Sequence, residues 1–468
     1  MPKDQAVRQL QRSELMANEL IPRLIFKMAI PTIVAFLINS IYSLADTFFV
    51  SSLGDNATAA VTVNASLDQL IMMCGSMLAI GANSYIARLL GAGQEKKASQ
   101  VLSTAFFLAF GLGLTLTVCG SIFMTPMVRL LGAKAEYEQY SIDYATYVLL
   151  AAPFMASSFV MNQCLRSEGS ATLSMIGMGS GGILNCILDP IFICDWGLGM
   201  GVAGASLATA ISKLVSFAIL IFPYLTRHSM LHLSIRNFHF CRDIIVKIVS
   251  VGSSSMFRNA LAVVGNTLLA HIAGDVGGAA LVGGIGVSTK IMMFPFSIIL
   301  GFGSGFQPVA GFNWGARKYN RVQQSYRFCS IVAIVGSAVM AVALAVFAVP
   351  IMSAFGEKGG LQQEYGAVCI WLQCLALPVH AWVAVVNMLC AGLGKARGAF
   401  LLATARQGTC FIPVLYPLVY FFREYGILAV QAVADVLSLA IAIPIVVKVT
   451  RQIKAARQQY EKESCIST

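Results

Sequence analysis

The chain has 468 residues, 57% of them hydrophobic and only 11% charged, whereas soluble domains carry about 25% charged residues; an ordinary globular core is excluded. A net charge of +11 would suggest a nucleic-acid partner in a soluble protein, but here Lys and Arg fall in loops on one side of apolar runs, as cytoplasmic loops require, and no nucleic-acid partner is expected. Strict period-2 alternation is absent, which excludes a membrane β-barrel and leaves helices as the spanning element, because hydrocarbon cannot satisfy an exposed backbone.

In chain order, the apolar runs predict about twelve spanning helices of the roughly 20 residues that a bilayer demands, at 24–50, 58–88, 98–122, 137–162, 169–194, 200–226, 241–273, 278–311, 322–347, 362–391, 396–421 and 426–450. The polar segment ahead of the first has no apolar region followed by a cleavage site, so no secretory signal is expected there. The first helix carries Pro31, Asn39, Tyr42 and Asp46. Asn39, Tyr42 and Asp46 share one face by helical spacing. Pro31 stands fifteen residues before Asp46, about 22 Å along the axis, and its missing N–H predicts a kink there. The second helix holds Asp68. The fifth holds Asn185 and Asp189 one turn apart, followed by Pro190, and the sixth holds Thr209. The basic stretch 227–247 links two halves, giving an N-terminal lobe 1–232 and a C-terminal lobe 233–468. Ionisable residues in the second half are Arg258, His271, Lys290, His380, Arg406 and Asp435.

The loop charges orient the chain. Lys3, Arg8, Arg12, Arg23, Lys27, Arg88, Lys96, Lys97, Arg227, Arg236, Arg242, Lys247, Arg317, Lys318, Arg321, Lys395 and Arg397 fall on one side. Only Arg129, Lys134, Lys358 and Arg423 fall on the other. Both termini are then cytoplasmic, in a multi-pass protein of the inner membrane. The cysteines lack metal-ligand spacing and read as small core residues.

A charge near a helix centre costs roughly 2.5–3.5 kcal/mol on insertion scales, so such residues are functional candidates. If the first, fifth and sixth helices pack together, Asp46, Asn185, Asp189 and Thr209 converge as oxygen ligands. Such a set suits a hard cation such as Na⁺ or a proton shared between two carboxyl groups in low dielectric. The structural alternative is a pair of half-buried carboxylates hydrogen-bonded to backbone. Asp68 and Asp435 have a second structural reading, pairing with Arg258, Lys290 or Arg406. Asp435 also remains a candidate second proton site or substrate carboxylate, with Asn39, Tyr42 and Asn266 as candidate cavity residues.

The halves repeat. "ADTFFVSSLGD" (45–55) aligns with "GNTLLAHIAGD" (265–275) at an offset of 220, and "GAGQEKKA" (91–98) with "GARKYNRV" (315–322) at 224. Six crossings return the chain to its starting side, so the copies are parallel, related by an axis along the membrane normal. Asp46 aligns with Asn266 and Asp189 with Val414, so an acid-dependent site belongs to the first half alone. No GxxxxGK[ST] loop, nucleophile elbow or HExxH is present, which points away from an ATPase or an enzyme and toward an ion gradient as the energy source.

"AIPTIVAFLINSIYSLADTFFVSSLG", "ARLLGAGQEKKA", "NCILDPIFI", "GVAGASLATAIS" and "GFQPVAGFNWGA" together resemble the multidrug and toxic compound extrusion family over nearly the whole chain. The resemblance implies two six-helix bundles around a V-shaped cavity and alternating-access exchange of drug for H⁺ or Na⁺. It implies an N-lobe cation site on Asp46, Asn185 and Asp189 with a sixth-helix threonine placed at Thr209. Some members carry a seventh-helix acid for sodium, and none stands between Val246 and Ile272 here. The expectation is a monomeric antiporter without cofactor, using H⁺ or Na⁺ as coupling ion and exporting cationic, lipophilic compounds among membrane lipids. The alternative is a flippase of a lipid-linked precursor.

Overall fold

The computed structural model describes residues 13–51, 53–194, 197–226, 228–354 and 360–467. The tail cations Lys3, Arg8 and Arg12, together with Arg227 and Lys358, lie outside the described residues.

The structure is all-α. Its helices are α1 (Ile21–Ser51), α2 (Asp55–Gly91), α3 (Glu95–Ile122), α4 (Met124–Leu130), α5 (Glu138–Ser167), α6 (Ala171–Ile193), α7 (Gly201–Leu225), α8 (Arg242–Gly315), α9 (Tyr319–Ser353), α10 (Leu361–Gly392), α11 (Ala396–Thr404) and α12 (Phe411–Ser467). Helix α8 has 74 residues. At 1.5 Å per residue it would extend about 110 Å if straight, against an apolar slab of about 30 Å. It turns back at Gly278, whose φ of 62° is open to a residue without a Cβ. Helix α12 turns likewise at Arg423 (φ 47°). Each bent helix therefore supplies parts of two crossings, and twelve crossings result.

Three details depart from the sequence reading. Helix α4 lies between the third and fourth crossings in a stretch too short and too polar to span; Arg129 on it pairs with Glu138 at 2.9 Å. The eleventh crossing contains a π-helical turn, Ala405–Thr409, a local widening of a kind frequent at functional sites. Helix α1 runs unbroken through Pro31.

Within the first bundle α5 packs on α2, α3 and α7, while α6 packs on α1 and α7. Within the second, α10 packs on α8, α9 and α12. The bundles meet where α1 and α2 lie against both arms of α8. Glycine makes this close approach feasible. A Cβ on Gly81 would fall on the Ile248 carbonyl, and one on Gly252 on the Met77 carbonyl. Gly315 meets Arg88 and Gly91 meets Phe312 in the same way. Gly301 and Gly305 seat the α1 backbone at Ile33 and Ala29. Small residues let helix backbones approach in lipid, where apolar burial gives no drive to associate. These contacts cluster toward the end of the molecule that carries the 91–95 and 315–319 turns. Farther along the seam, Ser40 Oγ and Ser297 Oγ are 2.7 Å apart, and Ser255 Oγ donates to Ser76 Oγ at 3.3 Å. The cysteines of the described residues are unpaired thiols, most of them buried or half-buried.

Candidate functional site

Helix α6 is rich in glycine on the face that meets α1 and α7. Gly182 lies against Ile38 and Tyr42, and Gly181 against Ser212 and Ser216. With no side chains between them, the three helices approach closely enough for their polar groups to meet. Asn185 and Asp189 follow on the same helix and are buried. Asn185 Nδ2 donates to Asp189 Oδ1 at 3.1 Å and to Thr209 Oγ1 on α7 at 3.2 Å. One amide thus ties the fifth crossing's acid to the sixth crossing's hydroxyl. Asp46, half-buried on α1, lies within electrostatic reach of Asp189.

Three oxygens in this group have no protein partner among the described residues: Asp46 Oδ1, Asp189 Oδ2 and Asn185 Oδ1. Buried acceptors are normally satisfied, and three idle lone-pair donors on converging helices can take a hard cation or a proton. Among the described residues no three His, Cys, Asp or Glu side chains gather to hold a metal. The donor set is carboxylate, amide and hydroxyl oxygen, the chemistry of Na⁺ or H⁺ and not of a transition metal.

Asp68 on α2 belongs to the same electrostatic group. It lies within electrostatic reach of Asp46 and of buried Tyr144 on α5, and its Oδ1 also has no protein partner among the described residues. It pairs with none of Arg258, Lys290 and Arg406. The pairing expected for at least one of the two acids is made by Asp435 instead, because α2 places Asp68 in the first bundle while those cations sit in the second. Lys290 is exposed.

Sequence reasoning passed over three residues. Lys213 on α7 donates to Tyr42 O–H at 3.2 Å and lies over the Tyr42 ring at 4.8 Å. It is the cation acting on both Asp46 and Asp68. Its place one turn after Thr209 was a usable signal. Tyr144 was hidden in an ordinary tyrosine-bearing helix. Arg166, at the end of α5, is buried over the Phe36 ring, 5.9 Å from its centroid. Of the remaining expected residues, Asn39 is half-buried on α1 and Asn266, the counterpart of Asp46, is exposed. The second half repeats the helix but not the buried polar group.

In the second bundle Arg406 Nε donates to Asp435 Oδ1 at 2.8 Å. His380 approaches the same carboxylate at 3.6 Å. His271 is exposed beside Asp275, 3.9 Å away.

Residues 31–191 and 254–421 match the family model described as MatE. The multidrug export protein MepA of Staphylococcus saprophyticus is 28% identical over 428 residues, covering 89% of this chain and 92% of that protein. The MepA of Staphylococcus aureus strain N315 is 26% identical over 425 residues, with 89% and 92% covered. A crystal structure of MATE in complex with MaL6 superposes with a TM-score of 0.88 at 24% identity, covering 95% of this chain and 99% of that one. A MOP superfamily transporter from Pyrococcus furiosus, described as having a binding pocket of reverse polarity that suggests a different function, superposes with a TM-score of 0.87 at 24% identity, covering 95% and 98%. At that identity the two structures carry the fold alone.

Proposed function

The chain belongs to the MatE family and is a multi-pass membrane transporter, not an enzyme; from that premise we propose that it is a secondary antiporter exporting lipophilic organic cations in exchange for H⁺ or Na⁺. In this reading the N-lobe is 1–232 and the C-lobe 233–468. Both termini are cytoplasmic, the protein is a monomer in the cell membrane, and the glycine-lined seam closes its cytoplasmic end. Asp46 and Asp189 take the coupling ion, with Asn185 and Thr209 as neutral ligands. A bound ion neutralises the acids and lowers their attraction for a cationic substrate, which is then released outside. Pro31 supplies the point at which α1 bends between the two conditions. In a one-for-one exchange of monovalent cations no net charge crosses, so the concentration gradient of the coupling ion drives export, each tenfold step supplying about 1.4 kcal/mol.

The observation that carries this reading is the set of partnerless oxygens on Asp46, Asn185 and Asp189. They sit on two packed helices, α1 and α6, beside Lys213 of α7, which donates to Tyr42. The names of the MepA relatives support multidrug compounds as the substrate class. A flippase needs enough cavity cations for a pyrophosphate, and Arg406 is already held by Asp435. Rhodamine 123 efflux from proteoliposomes, driven separately by a pH gradient and by a sodium gradient, tests the proposal. Asp46→Asn abolishes gradient-driven efflux while the protein still inserts; unimpaired efflux in that variant overturns the mechanism.

A further inference from the structure

The second bundle buries charge that the export reading leaves unused. Four side chains from four crossings meet there. Arg406 stands on the π-helical turn, and its guanidinium lies over the Phe296 ring, 4.3 Å from the centroid. Its Nε holds Asp435, and its Nη1 lies 3.4 Å from His380 Nε2. A guanidinium only donates, so His380 Nε2 accepts and the imidazole is neutral. Phe296 also braces the imidazole edge-to-face, with centroids 5.3 Å apart. Arg258, on the first arm of α8, lies within electrostatic reach of Arg406. It donates only to Ser255 Oγ, at 3.4 Å, and no carboxylate pairs with it among the described residues.

Two guanidinium groups face one carboxylate and one neutral imidazole, leaving one positive charge uncompensated. Further donor capacity is idle nearby. Gln431, one turn before Asp435 on α12 and on the same face, has an Nε2 with no protein partner. The cluster adjoins the seam at two points. Ser255 beside Arg258 bonds to Ser76 of the first bundle, and Ser297 beside Phe296 meets Ser40 of α1. Ser40 is six residues from Asp46, about 9 Å along the axis. The two bundles thus present opposite charge across one seam, excess acid in the first and excess guanidinium in the second.

We propose that Arg258 and Arg406 form a carboxylate-binding site in the second bundle, which takes the acidic group of a zwitterionic substrate whose cationic group faces Asp46 and Asp189. This rests on the export reading above. A monoanion is the matching ligand, because the surplus is one charge; a pyrophosphate would overcompensate it. Arg258 supplies the free fork, suited to bidentate binding of a carboxylate. Arg406 is held in place by Asp435 and Phe296 and adds field without needing to leave its partner.

Rhodamine 110 and its methyl ester, rhodamine 123, test this, since both carry the same cationic ring system and only the first has a free carboxylate. Fluorescence anisotropy of each dye with the purified full chain is compared for the parent, Arg258→Gln and Arg258→Lys. The expected result is that Arg258→Gln weakens rhodamine 110 by about tenfold or more, the scale of a hydrogen bond to a charged group, and changes rhodamine 123 by less than about twofold. Arg258→Lys keeps the charge but loses the fork and weakens rhodamine 110 by a smaller factor, which preserves the test if the glutamine variant does not fold. Equal losses for both dyes, or no loss for rhodamine 110, overturn the site. Failure of the export reading is read separately, from rhodamine 123 efflux that no longer depends on Asp46.

Discussion

Replacing Asn185 by leucine, similar in size and without polar atoms, removes two hydrogen bonds of unequal strength. The bond to buried Asp189 (3.1 Å) has a carboxylate acceptor, and bonds to charged groups contribute about 1.5–3 kcal/mol. The bond to Thr209 (3.2 Å) joins neutral groups, and polar contacts between membrane helices average about 0.6 kcal/mol. The first exists in full only while Asp189 is ionised, the condition in which the carrier has released its coupling ion. Asn185→Leu therefore makes that condition harder to reach by about ten- to hundredfold, at 1.4 kcal/mol per factor of ten. Gradient-driven rhodamine 123 efflux should fall by the same factor. Thr209→Val removes only the weaker bond and should lower efflux about threefold. Initial rates in proteoliposomes, normalised to reconstituted protein, measure both. An Asn185→Leu variant within twofold of the parent, or one less impaired than Thr209→Val, refutes the assignment of the amide to the ion-binding group.

Lys213→Met removes the cation that offsets Asp46 and Asp68, so rhodamine 123 should bind more tightly by anisotropy while its efflux slows; weaker binding would contradict the placement of Lys213. Gly81→Ala puts a methyl group onto the Ile248 carbonyl and should push the bundles apart at that end. Spin labels on α2 and α8 should then report a longer distance, and an unchanged one would count against the seam. Asp435→Leu leaves Arg406 buried without its partner, at a cost of about 3–5 kcal/mol, and should lower the thermal midpoint; adding Arg406→Leu should restore most of the loss. A double variant as unstable as the single one would show that the ion pair is not what holds this part of the bundle.

The amino-acid sequence by itself determined the architecture. Apolar runs of bilayer length can only be helices in hydrocarbon, their count is set by chain length, and the charges in the loops are legible one by one. It also singled out Asp46, Asn185 and Asp189, because a polar group in an apolar run is costly wherever the helix ends up. Only the tertiary structure decided which of those groups meet. Partner choice is set by helix rotation and packing, and these depend on where glycines such as Gly182 and Gly81 let backbones approach. Asp68 and Asp435 look alike along the chain, each a lone acid in an apolar helix. Packing sets Asp68 near the Tyr144 phenol and the acids of the first bundle, and gives Asp435 a guanidinium. The role of Lys213 was likewise set by packing: its place one turn after Thr209 is visible along the chain, but its partner Tyr42 lies 171 residues away. The π turn that carries Arg406 is equally a product of packing, since its residues would otherwise continue an ordinary helix.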